Sequence, residues 1–284
     1  MKVSVVMIDG QFRENTYGAE YFSKQDFPEN EFEVIWVEFY SKVPEHVRAQ
    51  KNVKVVTLNN PDDKMYHSSY CFNRGIVEAK GELIVIPDAD QIVKPDFLSK
   101  LYAIHSAYDK LVIYPYRYDE IEKDALKNLS FEELEEKCIL KNPMNYGGCL
   151  SVRKKWLMEI NGYEQHRIFE SGAHANGSDV YTRFKNLGLA VMWTPELKLF
   201  HPWHFNTFAP ADQYFIQRDL TEWRFKKQEY LAIDGIDKSR NCKTFDEAAF
   251  MKQFEEKQKK NTPATKSVPA RKPGIVKRII RKLW

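Results

Sequence analysis

Four apolar runs in the first third of the chain constrain its fold more than any other feature. They are VSVVMI at 3–8, FEVIWVEFY at 32–40, VKVVTL at 53–58 and LIVI at 83–86. Each has the length of a strand, and segments of helical spacing lie between them. TYGAEYFSKQ follows the first, and SSYCFNRGIVEAKG (68–81) stops at Gly81, a C-terminal helix signal. Strands alternating with helices imply an α/β architecture, a mostly parallel sheet with helices on both faces. Further strands are read at LVIYPY, at the start of 147–163, at LAVMW and at LKLFH, with a polar, partly helical stretch over 117–145. Long helices are read at about 210–231 and 244–260.

The fourth run ends in Pro87 and delivers two carboxylates, Asp88 and Asp90, one residue apart. In open α/β sheets ligands bind beyond the carboxyl ends of the strands. Mg²⁺ or Mn²⁺ is commonly held by one or two carboxylates together with substrate phosphates. An Asp-x-Asp at a strand end can therefore present Mn²⁺ or Mg²⁺ to a diphosphate. The pattern is short, and alone it fits a solvated acidic turn better; the strand immediately before it shifts the balance toward a site.

With 43% of its 284 residues hydrophobic, the chain can build a sizeable core. Its four cysteines (Cys71, Cys138, Cys149, Cys242) form no CxxC pair. That argues against a zinc ribbon or a disulfide framework and suits a reducing compartment. The apolar run of MKVSVVMIDG is too short for a signal peptide, and no stretch approaches a transmembrane helix, so a cytoplasmic location is expected. The net charge of +3 conceals an asymmetry. Ten Lys/Arg and no Asp/Glu lie in 257–284, leaving 33 basic against 40 acidic residues in 1–256, a net of −7. An acidic body with a basic tail is not the footprint of a nucleic-acid-binding domain.

Taken in order, NRGIVEAKGELIVIPDAD, NYGGCLSVRKKWLMEINGY, GSDVYTRFKNLG and LFHPWH resemble the family 2 glycosyltransferases of GT-A fold, over about residues 3–205. In that family a helix with Asn-x-Gly and Ala-x-Gly, here Asn73, Gly75, Ala79 and Gly81, leads into the strand carrying Asp-x-Asp. The resemblance implies a Rossmann-like GT-A domain and a nucleoside diphosphate sugar donor, UDP-sugar by default. It implies donor contacts from Glu38, Asn73, Asp88, Asp90, Gly147 and Gly148, with Asp88 near the ribose. It implies a metal held by Asp90 with His201 or His204. His201 is preferred because it follows LKLF directly, and imidazole suits Mn²⁺ better than Mg²⁺. Asp179, in the first turn of a helix at 178–188 with Ser178 as its N-cap, would be the general base on the acceptor hydroxyl. A single direct displacement by that hydroxyl inverts the anomeric centre.

The chain departs from the family in three places. The usual Glu-Asp pair is Ser178 and Asp179 here, which leaves room for Glu170 or His174 in the base role. The usual Pro-Thr-Tyr-Asn is replaced by Met7, Ile8, Asp9, Gly10 and Gln11. The usual Asp-Asp-Gly-Ser is replaced by Glu38, Phe39, Tyr40 and Ser41. In the family the last two places surround the nucleotide base, so its identity is left open; Glu38 could still accept a hydrogen bond from a uracil N–H. Trp203 reads equally as a sugar-stacking ring or as core.

The expected organisation is a GT-A domain over 1–208, a helical extension over 209–260, a disordered linker over 261–274 and a basic amphipathic helix over 275–284. In that last segment Ile275, Val276, Ile279, Ile280, Leu283 and Trp284 share one half of a helical wheel, and Lys277, Arg278, Arg281 and Lys282 the other. This separation fits peripheral attachment to the anionic inner face of a membrane, or docking on the body or another subunit. The expected function is an inverting transferase acting on a hydroxyl of a glycan or lipid-linked acceptor, as in polysaccharide biosynthesis. The alternatives are a non-catalytic glycan- or membrane-associated scaffold of the same fold, and a sugar nucleotidyltransferase. The latter is disfavoured because IDGQFREN lacks a Gly-rich basic phosphate loop.

Overall fold

The first apolar run is strand β1 (Val3–Asp9), buried along its whole length. β2 (Phe32–Glu38) and β3 (Val53–Thr57) continue the sheet on one side, and β4 (Leu83–Pro87) adds on the other, all parallel. Burial on both faces is why β1, β2 and β4 read as near-continuous apolar runs rather than as alternating ones, while β3 at the sheet edge is only partly buried. The computed structural model describes residues 1–123, 129–170, 175–204 and 211–261.

Four helices accompany these strands: α1 (Gly18–Ser23), α2 (Glu45–Arg48), α3 (Ser68–Glu78) and α4 (Phe97–Ala107). Successive strand residues face opposite ways. Val3, Val5 and Met7 meet Phe22 of α1 and Phe97, Leu98 and Leu101 of α4. Val6 and Ile8 meet Cys71 and Ile76 of α3 on the other face. A Cβ on Gly75 would stand 2.2 Å from Val6 Cγ1, so only glycine lets α3 seat on β1 this closely.

Around this parallel core the rest of the sheet is mixed. It comprises β5 (Ile92–Val93), β6 (Leu111–Glu120), β7 (Cys138–Leu140), β8 (Cys149–Arg153) and β9 (Ala190–His201). The order is β3-β2-β1-β4-β8-β6-β9-β5, with β7 paired to β6. β8 is antiparallel to β4 and β6, β9 is parallel to β6, and β5 is antiparallel to β9. The remaining helices are α5 (Phe131–Lys137), α6 (Lys154–Glu159), α7 (Asn176–Asn186), α8 (Ala211–Lys227) and α9 (Glu247–Asn261).

Three local differences from the sequence reading bear on function. LAVMW and LKLFH are one strand: Thr194 pairs with Pro115 and Lys198 with Tyr116, so 195–197 form a bulge where Pro195 has no N–H to give. β6 runs on to Glu120, through residues read as a polar stretch. α7 begins at Asn176, two residues early, and Ser178 Oγ donates to Ala175 O at 2.9 Å instead of capping. The first compact unit spans Met1–Thr244 and so includes α8; a second begins at Phe245 and contains α9. The segments 262–274 and 275–284 lie outside the described residues. Among the described residues no helix is long and apolar enough to cross a membrane.

Candidate active site

Acidic side chains collect at the carboxyl ends of the parallel strands. Asp9 and Glu38 close β1 and β2 and are register partners. Asp88 follows β4 directly, and its N–H donates to Gly148 O at 2.6 Å, which pins the Asp-x-Asp turn to the start of β8. Gly148 has φ +95°, and a Cβ there would stand 2.8 Å from Gln91 Nε2 and 3.1 Å from Arg117 Cδ. The neighbouring Gly147 donates its N–H to Asn145 Oδ1 at 2.7 Å.

Asp90 meets two histidines from the far end of the sheet. Its Oδ2 is 3.8 Å from His201 Nε2 and 3.7 Å from His204 Nε2, and the two Nε2 atoms are 3.2 Å apart. Among the described residues these three side chains form the set suited to a metal, their ligand atoms within 4.8 Å of one another. The donor set fits a divalent ion: Asp90 is 3% exposed, and its other oxygen, Oδ1, is buried without a hydrogen-bond partner. Two imidazoles and a carboxylate suit Mn²⁺ better than Mg²⁺.

The support behind His201 was missed in the sequence. Its Nδ1 lies 3.0 Å from Asp119 Oδ1, and Asp119 is its register partner across β6 and β9. Burial alone would raise the Asp119 pKa, but the His201 hydrogen bond and the Arg117 guanidinium, 3.0 Å away, hold it below the usual carboxylate value. A carboxylate on one ring nitrogen leaves the other nitrogen's lone pair for a metal. The signal was available in YRYDE, whose alternation extends β6 to Glu120. His204 is placed by Trp203, whose N–H donates to Glu120 Oε2 at 2.5 Å. Trp203 has Lys123 Nζ 5.6 Å from its ring centroid.

Glu38 is fully buried. Its Oε1 accepts from Tyr40 N at 3.0 Å and Gln11 Nε2 at 3.4 Å, while Oε2 has no partner. Burial raises its pKa, and the charge of Asp9 adds to this. Asp9 is likewise raised by burial, against the pull of Arg13.

Arg13, a second residue the sequence reading passed over, sits among three carboxylates. Nη1 lies 3.4 Å from Asp9 Oδ1, Nη2 3.3 Å from Asp88 Oδ1, and Nε 3.8 Å from Asp90 Oδ2. Nη1 also donates to Ile8 O at 3.1 Å. Burial would lower its pKa, but Asp90 and Asp88 more than offset this and hold it above the usual value.

Two expected site residues are engaged elsewhere. Asn73 Nδ2 donates to Tyr163 O at 2.9 Å, and its Oδ1 accepts from Tyr163 N at 2.7 Å. Its amide ties α3 to the turn after α6, a structural task in place of a donor contact. Asp179 stands in the first turn of α7, but only 1% exposed. Its Oδ2 accepts from Arg183 Nε at 2.9 Å, and its Oδ1 lies 2.8 Å from Arg224 Nε of α8. Arg224 also pairs with Glu164, which takes three further N–H donors from His166, Ile233 and Asp234. Asp179 thus belongs to a buried ion network, where no acceptor hydroxyl can reach it without rearrangement. Glu170 is exposed after the 3₁₀ turn Arg167–Phe169. His174 lies outside the described residues.

A profile described as Glycosyltransferase like family 2 matches residues 4–215. Solved structures share the fold at 15% identity. TarS from S. aureus in complex with UDP-GlcNAc has a TM-score of 0.58, covering 90% of this chain and 71% of that one. GalNAc-T7 with UDP, GalNAc and Mn²⁺ has 0.56, covering 93% and 58%. The mannosyltransferase PcManGT from Pyrobaculum calidifontis, in complex with GDP-Man and Mn²⁺, has 0.52, covering 80% and 63%. Curated protein sequences give no significant match.

Proposed function

The chain belongs to the Glycosyltransferase like family 2 proteins, and from that premise we propose that it is an inverting, Mn²⁺-dependent transferase. It moves a hexosyl group from a nucleoside diphosphate sugar, UDP-sugar by preference, to a hydroxyl of a glycan or lipid-linked acceptor. The observation that carries this reading is the convergence of Asp90, His201 and His204 beside Asp88, at the carboxyl ends of the parallel strands.

Nucleoside diphosphate is a charged leaving group. Mn²⁺ held by Asp90, His201 and His204 supplies Lewis-acid stabilisation of that charge when bound. Asp119 fixes the His201 ring through Nδ1. Asp88 faces the ribose side, and Gly148, which could take no Cβ against Gln91 and Arg117, lets the Asp-x-Asp turn sit against the start of β8. Glu38 is fully buried with Oε2 unpartnered, so it meets the base only once the residues that cover it, Gln11 among them, move aside. The UDP of the TarS and GalNAc-T7 complexes makes uracil the first base to try.

Proton removal from the acceptor hydroxyl falls to Glu170, which is exposed where Asp179 is locked between two guanidiniums. A single displacement then inverts the anomeric centre. The basic segment 275–284 adds a peripheral anchor on anionic lipid, its apolar half-wheel in the acyl boundary. Co-sedimentation with phosphatidylserine vesicles, lost on truncation at 274, tests that part.

One observation, the burial of Asp179, favours a second reading: a non-catalytic scaffold of the same fold. Release of UDP, GDP, CDP or dTDP from matching sugar donors separates the two. The transferase reading requires Mn²⁺-dependent release of one of them, abolished by Asp90→Ala. No release from any donor, by a protein that binds none of the nucleotides, supports the scaffold.

A further inference from the structure

The Arg13 guanidinium stands beside the oxygen that a divalent ion would use. Its Nε lies 3.8 Å from Asp90 Oδ2, the same oxygen that faces both histidines, and its Nη2 lies 3.3 Å from Asp88 Oδ1. Its third acidic neighbour, Asp9, has a side chain only 4% exposed. Three carboxylates this close repel one another, and burial makes the repulsion stronger. Arg13, its own side chain 13% exposed, is the cation that offsets their repulsion. Its plane lies over Phe12, Cζ 4.8 Å from the ring centroid, which holds the fork in place.

A divalent ion on Asp90 brings two positive charges to oxygens that Arg13 already neutralises in part. The two cations cannot both keep Asp90 Oδ2 at full strength. The guanidinium is a fork matched to phosphate oxygens, so a diphosphate arriving with the metal offers it a better partner.

We propose that Arg13 is an exchange counter-ion: it holds the Asp88–Asp90 pair in the metal-free protein and transfers to the donor diphosphate when metal and nucleotide bind. Metal alone is then disfavoured, and nucleotide and metal bind cooperatively. This rests on the metal–diphosphate reading of the site given above.

Mn²⁺ binding measured by electron paramagnetic resonance, with and without UDP, tests it on wild type, Arg13→Gln and Arg13→Lys. Wild type should bind Mn²⁺ weakly alone and much more tightly with UDP. Arg13→Gln should bind Mn²⁺ alone about tenfold tighter than wild type, because a competing charge is gone, and should bind UDP about tenfold more weakly at saturating Mn²⁺. Arg13→Lys keeps the charge without the fork, and it answers the question if the Gln variant does not fold. It should bind Mn²⁺ alone as weakly as wild type and still lose UDP affinity. A folded Arg13→Gln with unchanged Mn²⁺ affinity, or Arg13→Lys with unchanged UDP affinity, overturns the role of Arg13 and leaves the site reading intact. Failure of wild type to bind Mn²⁺ with UDP, GDP, CDP or dTDP overturns the site reading and this proposal together.

Discussion

His201 Nδ1 lies 3.0 Å from Asp119 Oδ1, and the two residues are register partners across the parallel strands β6 and β9. Sheet pairing, more than loop geometry, therefore aims the imidazole at Asp90. Removing the charge of such a supporting carboxylate typically costs about 10–100-fold in metal affinity. Asp119→Asn should weaken Mn²⁺ binding in the presence of UDP by that order, with the melting temperature of the metal-free protein nearly unchanged. Equal Mn²⁺ affinity in the variant would mean that His201 is not a ligand.

On the proposed reading Glu170 takes the base role, and Asp179 belongs to the buried ion network with Arg183 and Arg224. Asp179→Asn leaves two buried guanidiniums short of charge, and breaking a buried pair in this way costs roughly 3–5 kcal/mol. Urea unfolding should register that loss. Glu170→Gln, at an exposed position, should leave stability unchanged and lower kcat by about 10²–10⁴-fold. The opposite pattern, a fully stable Asp179→Asn with kcat lost, would return the base to Asp179.

Glu38 ties stability to pH in a defined direction. Burial raises its proton affinity in the folded chain above that in the unfolded chain, against hydrogen bonds from Tyr40 and Gln11. Between the ordinary carboxylate value and the raised one, the folded state binds more protons. Stability therefore falls as pH rises through that window, and the cost is fully present above it. Glu38→Gln carries no such cost. It should melt higher than wild type at pH 7, with the gap closing toward pH 4, and should bind UDP more weakly. A melting difference that does not change with pH contradicts the assignment.

His105 acts with the opposite sign. Burial, with Arg153 nearby, lowers it to about 4 from the usual 6.5, and its Nε2 lies 2.9 Å from Ser151 Oγ. The unfolded chain binds more protons between those values, so stability is lost as pH falls from 6.5 toward 4. His105→Gln can keep the Ser151 contact and should flatten the acid limb of a melting-temperature profile over that range. An unchanged acid limb would show that other groups set it.

Much of the frame was legible because burial on two faces writes strands as apolar runs. VSVVMI, FEVIWVEFY and LIVI needed no tertiary information to be read, and the Asp-x-Asp at the end of LIVI marked the candidate site. What stayed hidden depends on pairing between distant segments. Asp119 matters only because β6 continues past Tyr116 to lie beside His201. Arg13 matters because Asp9, Asp88 and Asp90 meet around it, 75 residues apart in sequence for its bond to Asp88. In the Asn-x-Gly motif Asn73 bonds the Tyr163 backbone and Gly75 clears Val6, contacts that its sequence does not announce. Asp179 was found by position, but its partner Arg224 comes from α8, 45 residues on, which no local pattern announces.

On the proposed reading, Asp90 and its two histidines hold a metal that in turn holds a nucleoside diphosphate. Isothermal titration of UDP into wild type and Asp90→Ala, each with and without Mn²⁺, tests it most directly. The account predicts tight binding for wild type with Mn²⁺, at least about tenfold weaker binding when either Mn²⁺ or Asp90 is removed, and no further loss when both are. UDP binding of equal strength in all four conditions would contradict it.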